Sequence, residues 1–347
     1  MAGSVVIIGA GIAGLMAGVH ARAAGWRATV IEQAAQVGGR LRTEQHAGGA
    51  FDTGAQFFSV RDPLFGAAVE EWRRAGLIAH WCSGFAAVHP QTPENAPVAV
   101  EDGFPRYHIV GGMERLAAHL ARDLEVSLGT PVLRVDAAGG QVAIQIQQAG
   151  AVATLRADAA ILTPPVPASL ALLAAGRQER ALPPALVGEL QRIRYAPCLC
   201  VSLDYPAAEG MALPPPGAIR LLSGPISWIA SQRAKGLRRQ GEGVVVHASP
   251  QWSQEHAHER SDVICQRLAD EAATVLARWS VKSWNNPAAV ALTRFAESLA
   301  TSTISPAFLR ADLGAPILFA GDAFGDRPRL EGAALSGLAA AHALCRG

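Results

Sequence analysis

The stretch that most constrains the fold is a glycine-rich turn between two short apolar runs near the start of the chain. The first run, Val5-Val6-Ile7-Ile8, is too short for a core helix and rich in β-branched residues, so it reads as a buried parallel strand. It breaks into Gly9-Ala10-Gly11-Ile12-Ala13-Gly14, and a helical pattern of Leu15, Met16, Val19 and Ala23 follows and stops near Gly25. A second run, Ala28-Thr29-Val30-Ile31, carries Glu32 at its carboxyl end. Together these are the parts of a dinucleotide site. Gly9 permits the turn, Gly11 lets a pyrophosphate approach the backbone, and Gly14 lets helix and strand pack closely. The helix start at Ile12 and Ala13 offers free N–H groups and the positive end of a dipole. Glu32 can accept from ribose hydroxyls, where a 2′-phosphate would call for a neutral or basic residue.

Gln33 leads towards Gly38-Gly39-Arg40-Leu41-Arg42. Two glycines and a basic residue just past the ribose-binding acid bring further N–H groups and a guanidinium to the pyrophosphate. A nicotinamide-binding unit does not need this second turn. The arrangement resembles the FAD-binding start of the flavin amine oxidase superfamily, where E-x(5)-G-G-R follows the first βαβ unit. The resemblance implies FAD, with Gly9, Gly11, Ile12, Ala13, Gly14, Glu32, Gln33, Gly39, Arg40 and Leu41 as contacts.

Composition narrows the class. The 347 residues are half hydrophobic, enough for one large unit or two interleaved domains, and the net charge of +1 gives no reason to expect nucleic acid or an anionic membrane as partner. The five cysteines form no C-x-x-C and read as buried, reduced thiols. His256 and His258 lie among charges and read as a solvated segment, so no metal site is expected. No basic leader precedes the first strand, and 332–345 is too short to span a bilayer. A soluble, cytoplasmic protein is expected.

Further along, Phe51-Asp52-Thr53-Gly54-Ala55-Gln56-Phe57-Phe58 combines residues without bulk, an amide and an aromatic edge, so a flat ring could lie against it. Here the sequence resembles the renalase family, small flavoproteins of the same superfamily. The resemblance places Gly54, Ala55, Gln56 and Phe57 by the isoalloxazine, and its reaction is oxidation of reduced nicotinamide isomers with oxygen as acceptor. The pattern of 63–77 predicts a helix with Trp72 in the core, 81–88 a strand, and 90–97 a loop leaving the first domain. Another helix is expected to about residue 124, then strands over 126–128 and 131–135, a hairpin over 141–155 and a strand over 159–162. By resemblance, the backbone of Val132 meets the adenine and Thr163 lies where the chain leaves the FAD domain. The prolines at 164 and 165 bar a helix directly after that strand.

The middle of the chain, 166–290, reads as the substrate domain. Strands are expected over 198–203, 218–222, 226–230 and 244–248, and a helix over 261–279. Three stretches match renalase-like text: Arg194-Tyr195-Ala196, Ser227-Trp228-Ile229-Ala230 and His247-Ala248-Ser249 followed by Trp252-Ser253. They nominate His247, Trp228 and Trp252 as catalytic-site residues. His247 could donate to a substrate or flavin carbonyl, or serve as a satisfied structural histidine. The strand before Gly321 ends on Asp322, which by resemblance binds ribityl hydroxyls. A helix from about Glu331, with Gly332 and Ala333, aims its positive end at the N1–C2=O edge of the flavin.

The chain departs from its relatives at Arg294-Phe295-Ala296-Glu297-Ser298-Leu299, where many carry R-W-x-Y-A-x-P. No cysteine occurs between Asn285 and Gly321, where some amine oxidases link their flavin, so FAD is expected to be non-covalent. Superfamily amine oxidases often place a lysine, through water, at flavin N5. Of the two lysines, Lys235 reads as part of a solvated loop and Lys282 as a helix end, which favours the renalase-like branch.

The expected fold is α/β: a Rossmann-like FAD-binding domain of the amine-oxidase type, interleaved with a smaller α+β substrate domain on a mixed sheet. FAD-domain segments are placed at 1–62, 106–165 and 291–347, and substrate-domain segments at 63–105 and 166–290. The expected function is that of an FAD-dependent oxidoreductase passing a hydride from a small donor, a reduced nicotinamide isomer foremost, to flavin N5, with oxygen or another acceptor reoxidising the flavin. The alternatives are an amine oxidase or desaturase-like dehydrogenase and, from another class, an FAD-dependent carrier or maturation partner.

Overall fold

A computed structural model describes residues 3–46, 49–89, 99, 101–207, 211–279 and 282–345. The loop expected over 90–97 lies outside the described residues. The chain divides into two compact units, and neither is continuous in sequence. One comprises Met1–Leu41, Leu116–Tyr195 and Ala300–Gly347; the other comprises Arg42–Arg115 and Ala196–Leu299. The chain therefore changes unit after residues 41, 115, 195 and 299, against 62, 105, 165 and 290 in the sequence reading. The second unit is no smaller than the first.

The first unit is built on a six-stranded sheet in the order Leu309–Asp312, Pro316–Phe319, Ala159–Leu162, Ser4–Ile8, Arg27–Ile31, Glu125–Ser127. All neighbouring pairs are parallel except that of the edge strand Leu309–Asp312. The apolar runs have no polar alternation because the inner strands are covered: Val5, Ile7, Val30 and Ile161 are fully buried. The unit also holds a three-stranded antiparallel sheet of Ala151–Ala157, Gln141–Gln148 and Val132–Ala138.

Helix Ile12–Ala23 crosses helix Leu330–Cys345 very closely. A Cβ on Gly337 would lie 1.9 Å from the carbonyl oxygen of Ala13, so only glycine allows that approach. The small-residue composition of the later helix (Gly332, Ala333, Ala334, Ser336, Gly337, Ala340, Ala341) is thus packing chemistry. Contrary to the sequence expectation, a helix does follow the 159–162 strand almost at once. Val166–Ala175 starts next to Pro165, which sits at the N-cap, with Pro167 in the first turn. Proline is tolerated there because a first-turn N–H has no intrahelical acceptor to lose.

The second unit holds a mixed six-stranded sheet in the order Ala289–Ala300, Tyr195–Tyr205, Glu242–Ala248, Ile226–Ser231, Ala218–Leu221, Ala86–Val88. One face packs Leu203, Ile229, Val244 and Val246 on Ile264, Leu268 and Ala272 of helix Ser261–Leu276. The opposite face carries Phe51, Cys200, Val245, Trp228 and Ala230. The single strand expected over 81–88 is two, Ile78–Cys82 and Ala86–Val88, which belong to different sheets. Helix Pro63–Arg74 begins at Asp62, whose side chain accepts from the Leu64 N–H, and it buries Phe65, Val69 and Trp72.

The thiols are not uniformly buried. Cys200 is enclosed, Cys345 is exposed and Cys82, Cys198 and Cys265 are half-buried; all five are free. Among the described residues no cluster of His, Cys, Asp and Glu could hold a metal ion, and no helix is long and apolar enough to cross a membrane.

Candidate functional site: a dinucleotide cradle and a buried polar hub

In the first unit the glycines meet the requirements set by the motif. Gly9 has φ +98°, and a Cβ there would strike Thr163 Oγ1 at 2.7 Å. A Cβ on Gly14 would lie 1.9 Å from the Gly9 carbonyl oxygen, so the helix can start against the strand only without a side chain. Gly11 differs: a Cβ there would meet nothing within 4 Å, which leaves open space above the turn. Gly11 is also the N-cap of helix Ile12–Ala23 and makes no side-chain cap, so the first-turn N–H groups at Ile12 and Ala13 lack that partner. Open space over an uncapped helix N-terminus suits a pyrophosphate.

Glu32 is 8% exposed, and both of its oxygens are fixed from below. Oε2 accepts from the Ala10 N–H and Oε1 from the Ala34 N–H, each at 2.8 Å. These bonds hold the carboxylate at the strand end while its remaining lone pairs can serve a ribose. Glu32→Ala removes charge-assisted bonds worth roughly 1.5–3 kcal/mol each, so FAD affinity should fall by tenfold or more. Titration of apoprotein checks this; unchanged affinity would remove Glu32 from the site.

The second glycine turn lies against the first. Gly38 donates its N–H to the Ala10 carbonyl at 2.8 Å, and Gly39, with φ +54°, would bring a Cβ to 3.6 Å from the Gly11 Cα. Arg40 makes a two-pronged pair with Asp322, at 2.7 and 2.8 Å, joining the early and late motifs of this unit. Gly321 donates its N–H to Ser336 Oγ. Thr163 Oγ1 donates to the Ile8 carbonyl. Glu331, Gly332 and Ala333 are buried in the first turn of helix Leu330–Cys345. Val132 opens a strand of the three-stranded sheet, Gln33 is exposed, and Leu41 turns its side chain into the interior.

In the second unit, residues 52–57 form a partly buried segment organised by Asp52. Its Oδ1 accepts from Thr43 Oγ1 at 2.6 Å and from the Met113 N–H at 2.9 Å, while Oδ2 pairs with Lys235. The Asp52 N–H donates to Gln232 Oε1, and its carbonyl accepts from the Gln56 amide. The Asp52 and Lys235 side chains are both 0% exposed, and the Lys235 ammonium lies 5.4 Å from the centre of the Trp81 ring. Burial pushes the Lys235 ammonium below its ordinary range against the attraction of Asp52. This overturns the reading of Lys235 as a solvated residue, and it removes the argument that used that reading to set amine oxidases aside. Within this cluster Thr53 Oγ1, Gln56 Oε1 and Trp228 Nε1 are buried without a partner among the described residues.

Trp228 and His247 face each other across neighbouring strands. Around Trp228 stand Phe57, Trp81 and Phe85, with ring centroids 5.6, 6.4 and 4.8 Å away. His247 Nε2 lies 2.9 Å from the Thr53 carbonyl, which can only accept, so this nitrogen carries the proton. Its donor is therefore spent on the backbone rather than on a ligand, and Nδ1 is left as an acceptor. Burial lowers the imidazole to about 4 and keeps it neutral. An ordinary histidine titrates near 6.5, so the unfolded chain takes up a proton between about 6.5 and 4 that the native state refuses. Stability should fall by about 3 kcal/mol as pH drops through that window, and His247→Gln should flatten this slope in chemical denaturation at pH 7 and 4.5.

Trp252 is not brought to this wall. It lies on helix Pro250–His256, against the core on the other face of the sheet and 4.2 Å from the His256 ring. Arg294 donates to the carbonyls of Ala257 and Glu259, whereas Phe295 packs with Phe51, Cys200 and Val245. Sequence reasoning passed over Asp52 and Lys235 as a pair. The available signal was a lysine retained in a chain whose other basic side chains, Lys282 apart, are arginine or histidine.

Residues 7–71 match the profile of the NAD(P)-binding Rossmann-like domain, and residues 82–345 that of the flavin containing amine oxidoreductases. The chain belongs to the flavin containing amine oxidoreductase family, and its dinucleotide cradle makes the flavin FAD. A hydroxyneurosporene desaturase of Rhodobacter capsulatus is 46% identical over 66 residues, a stretch spanning 18% of this chain and 13% of that protein. The fold is similar to that of a protein described as a putative protoporphyrinogen oxidase from Exiguobacterium sp. 255-15, with TM-score 0.74, 14% identity, and 99% and 98% of the two chains covered. It is also similar to putrescine oxidase bound to putrescine, with TM-score 0.73, 16% identity and 99% of each chain covered.

Proposed function

We propose that the protein is an oxidoreductase that removes a hydride from a carbon of a small, flat, uncharged donor. Bound FAD supplies the hydride acceptor, N5, and is restored by oxygen or another acceptor. Gly11, the first turn at Ile12 to Gly14, Gly39 and Arg40 hold the pyrophosphate. Glu32 holds the ribose, Asp322 the ribityl chain, and the helix start at Glu331 to Ala333 the ring edge. Val132, Thr163 and residues 54–57 complete the set suggested by family resemblance. With no linking cysteine between Asn285 and Gly321, FAD is non-covalent and should be released intact by acid or heat.

The observation that carries the donor class is the wall of Phe57, Trp81, Phe85 and Trp228 beside a neutral His247. Such a wall favours stacking of a planar molecule. Thr53 Oγ1, Gln56 Oε1 and Trp228 Nε1 provide buried polar atoms still able to bond one. Reduced nicotinamide isomers, the donors of the renalase-like reading, are flat and carry a carboxamide whose N–H could meet His247 Nδ1. A second reading, an amine donor, is supported by the match to the flavin containing amine oxidoreductases and by the likeness in fold to putrescine oxidase.

Anaerobic mixing of the holoenzyme with a panel of dihydronicotinamide isomers and primary amines tests the choice. The isomers should bleach the flavin fastest, with hydrogen peroxide formed on admitting air. His247→Ala should slow bleaching more than it weakens FAD binding. Faster bleaching by amines would overturn the nicotinamide donor and leave the amine reading.

A further inference from the structure

A densely bonded polar residue of the second unit, Asp52, lies one residue before the Thr53 carbonyl that holds His247. We infer that the Asp52–Lys235 pair is a positioning device: it locks the backbone of 52–57 so that the Thr53 carbonyl fixes the His247 ring. Lys235 acts here through its charge and not as an acid–base group. The inference deepens the proposed function by assigning roles to two residues outside the wall itself.

The bonds converge on this result. The Asp52 carboxylate is tied to Thr43, Met113 and Lys235, its N–H to Gln232, and its carbonyl to Gln56. Gln232 and Lys235 come from one short segment after strand Ile226–Ser231, the strand that carries Trp228. The Gln232 N–H in turn donates to the Gly243 carbonyl at 2.7 Å, in the strand that carries His247. The same short segment therefore holds Asp52 and registers the two strands of the wall. The Thr53 N–H is also fixed, donating to the Arg42 carbonyl at 3.1 Å. The Gly54 N–H, which shares its peptide plane with the Thr53 carbonyl, donates to the same Arg42 carbonyl at 3.4 Å, so the Thr53 carbonyl has one direction and His247 has one tautomer.

Three variants of the holoenzyme, Lys235→Met, Asp52→Asn and their double, test this, with Lys235→Arg as the conservative rescue. The main readout is the nitrogen-15 spectrum of the His247 ring, identified by its loss in His247→Gln, and it requires no substrate. Each single variant should convert the pure Nε2–H signature into a mixture of tautomers and slow flavin bleaching about tenfold. The double variant should be no more than about threefold worse than the poorer single variant, because partners in one device do not lose independently. Lys235→Arg should restore the ring signature and most of the rate. If a single variant does not fold, the Lys235→Arg and double variants decide by the same ring signal.

A falling melting temperature with an unchanged His247 signature would overturn the inference in favour of a purely structural ion pair. A restored signature with no recovered rate in Lys235→Arg would overturn it in favour of chemistry at the lysine amine. Failure of every donor to bleach the flavin would instead strike the proposed function and leave the ring result standing.

Discussion

Gly14→Ala is expected to abolish FAD loading, weakening affinity by at least about a hundredfold, or roughly 2.7 kcal/mol. The new methyl would sit 1.9 Å from the Gly9 carbonyl oxygen, and both partners are backbone, so no side chain can swing aside. Helix Ile12–Ala23 must shift from its strand, which disturbs its close packing on helix Leu330–Cys345 at a cost of about 1–3 kcal/mol. Gly11→Ala provides the contrast. Its methyl would enter open space, and the residue is already in an extended conformation, at φ −73° and ψ 178°. Its apoprotein should melt like the wild type, within about 0.5 kcal/mol, yet bind FAD less tightly because the methyl occupies the place of the pyrophosphate. Calorimetric melts and FAD titration of the two apoproteins check the contrast. Equal destabilisation of both would contradict the different surroundings of these glycines.

Lys235→Met is expected to cost about 3–5 kcal/mol of stability in chemical denaturation at pH 7, because it leaves the Asp52 carboxylate buried without its cation. Thr43 and the Met113 N–H remain as donors to one oxygen, but neither supplies charge. Pairs on the surface, such as Arg260 with Asp262, provide the comparison: both side chains are well exposed, and removing one should change stability by less than about 1 kcal/mol. Similar losses from the two pairs would show that Asp52 is solvated in the native state.

The contrast between these pairs also explains what could be read in advance. The cradle was legible because its code is local. The β-branched run, three glycines, a helix and an acid lie in one βαβ unit, and each acts on a neighbour a few residues away. Glu32 bonds Ala10 and Ala34, both within that unit. Lys235 was not legible. Its flanking text, Gln232-Arg233-Ala234 and Gly236-Leu237-Arg238-Arg239, has the composition of a solvated loop, and its partner Asp52 lies 183 residues away. Arg238 was hidden in the same way, being buried against Asp204. Other misses had a signal that was available and unused. Ser249 followed by Pro250 is an N-cap with proline in the first turn, and the structure starts helix Pro250–His256 there, with the Ser249 side chain accepting from the Trp252 N–H. Similarly, Pro165 was read as a barrier although it could open a helix as well as prevent one.

The alternation of the chain between its two units has a consequence for synthesis. Strand Ser4–Ile8 is made first, yet its neighbour Ala159–Leu162 follows some 150 residues later, and Pro316–Phe319, which completes the parallel part of the sheet, later still. At about 5–20 residues per second, the earliest strand waits many seconds on the ribosome with one edge open. Helix Leu330–Cys345, whose Gly337 clasps the start of helix Ile12–Ala23, emerges after both. The cradle cannot close before that helix is free, so cofactor capture must follow the synthesis of residues 330–345. Cleavage anywhere between residues 42 and 299 would part strands of the same sheet, and neither fragment would inherit a complete nucleotide site.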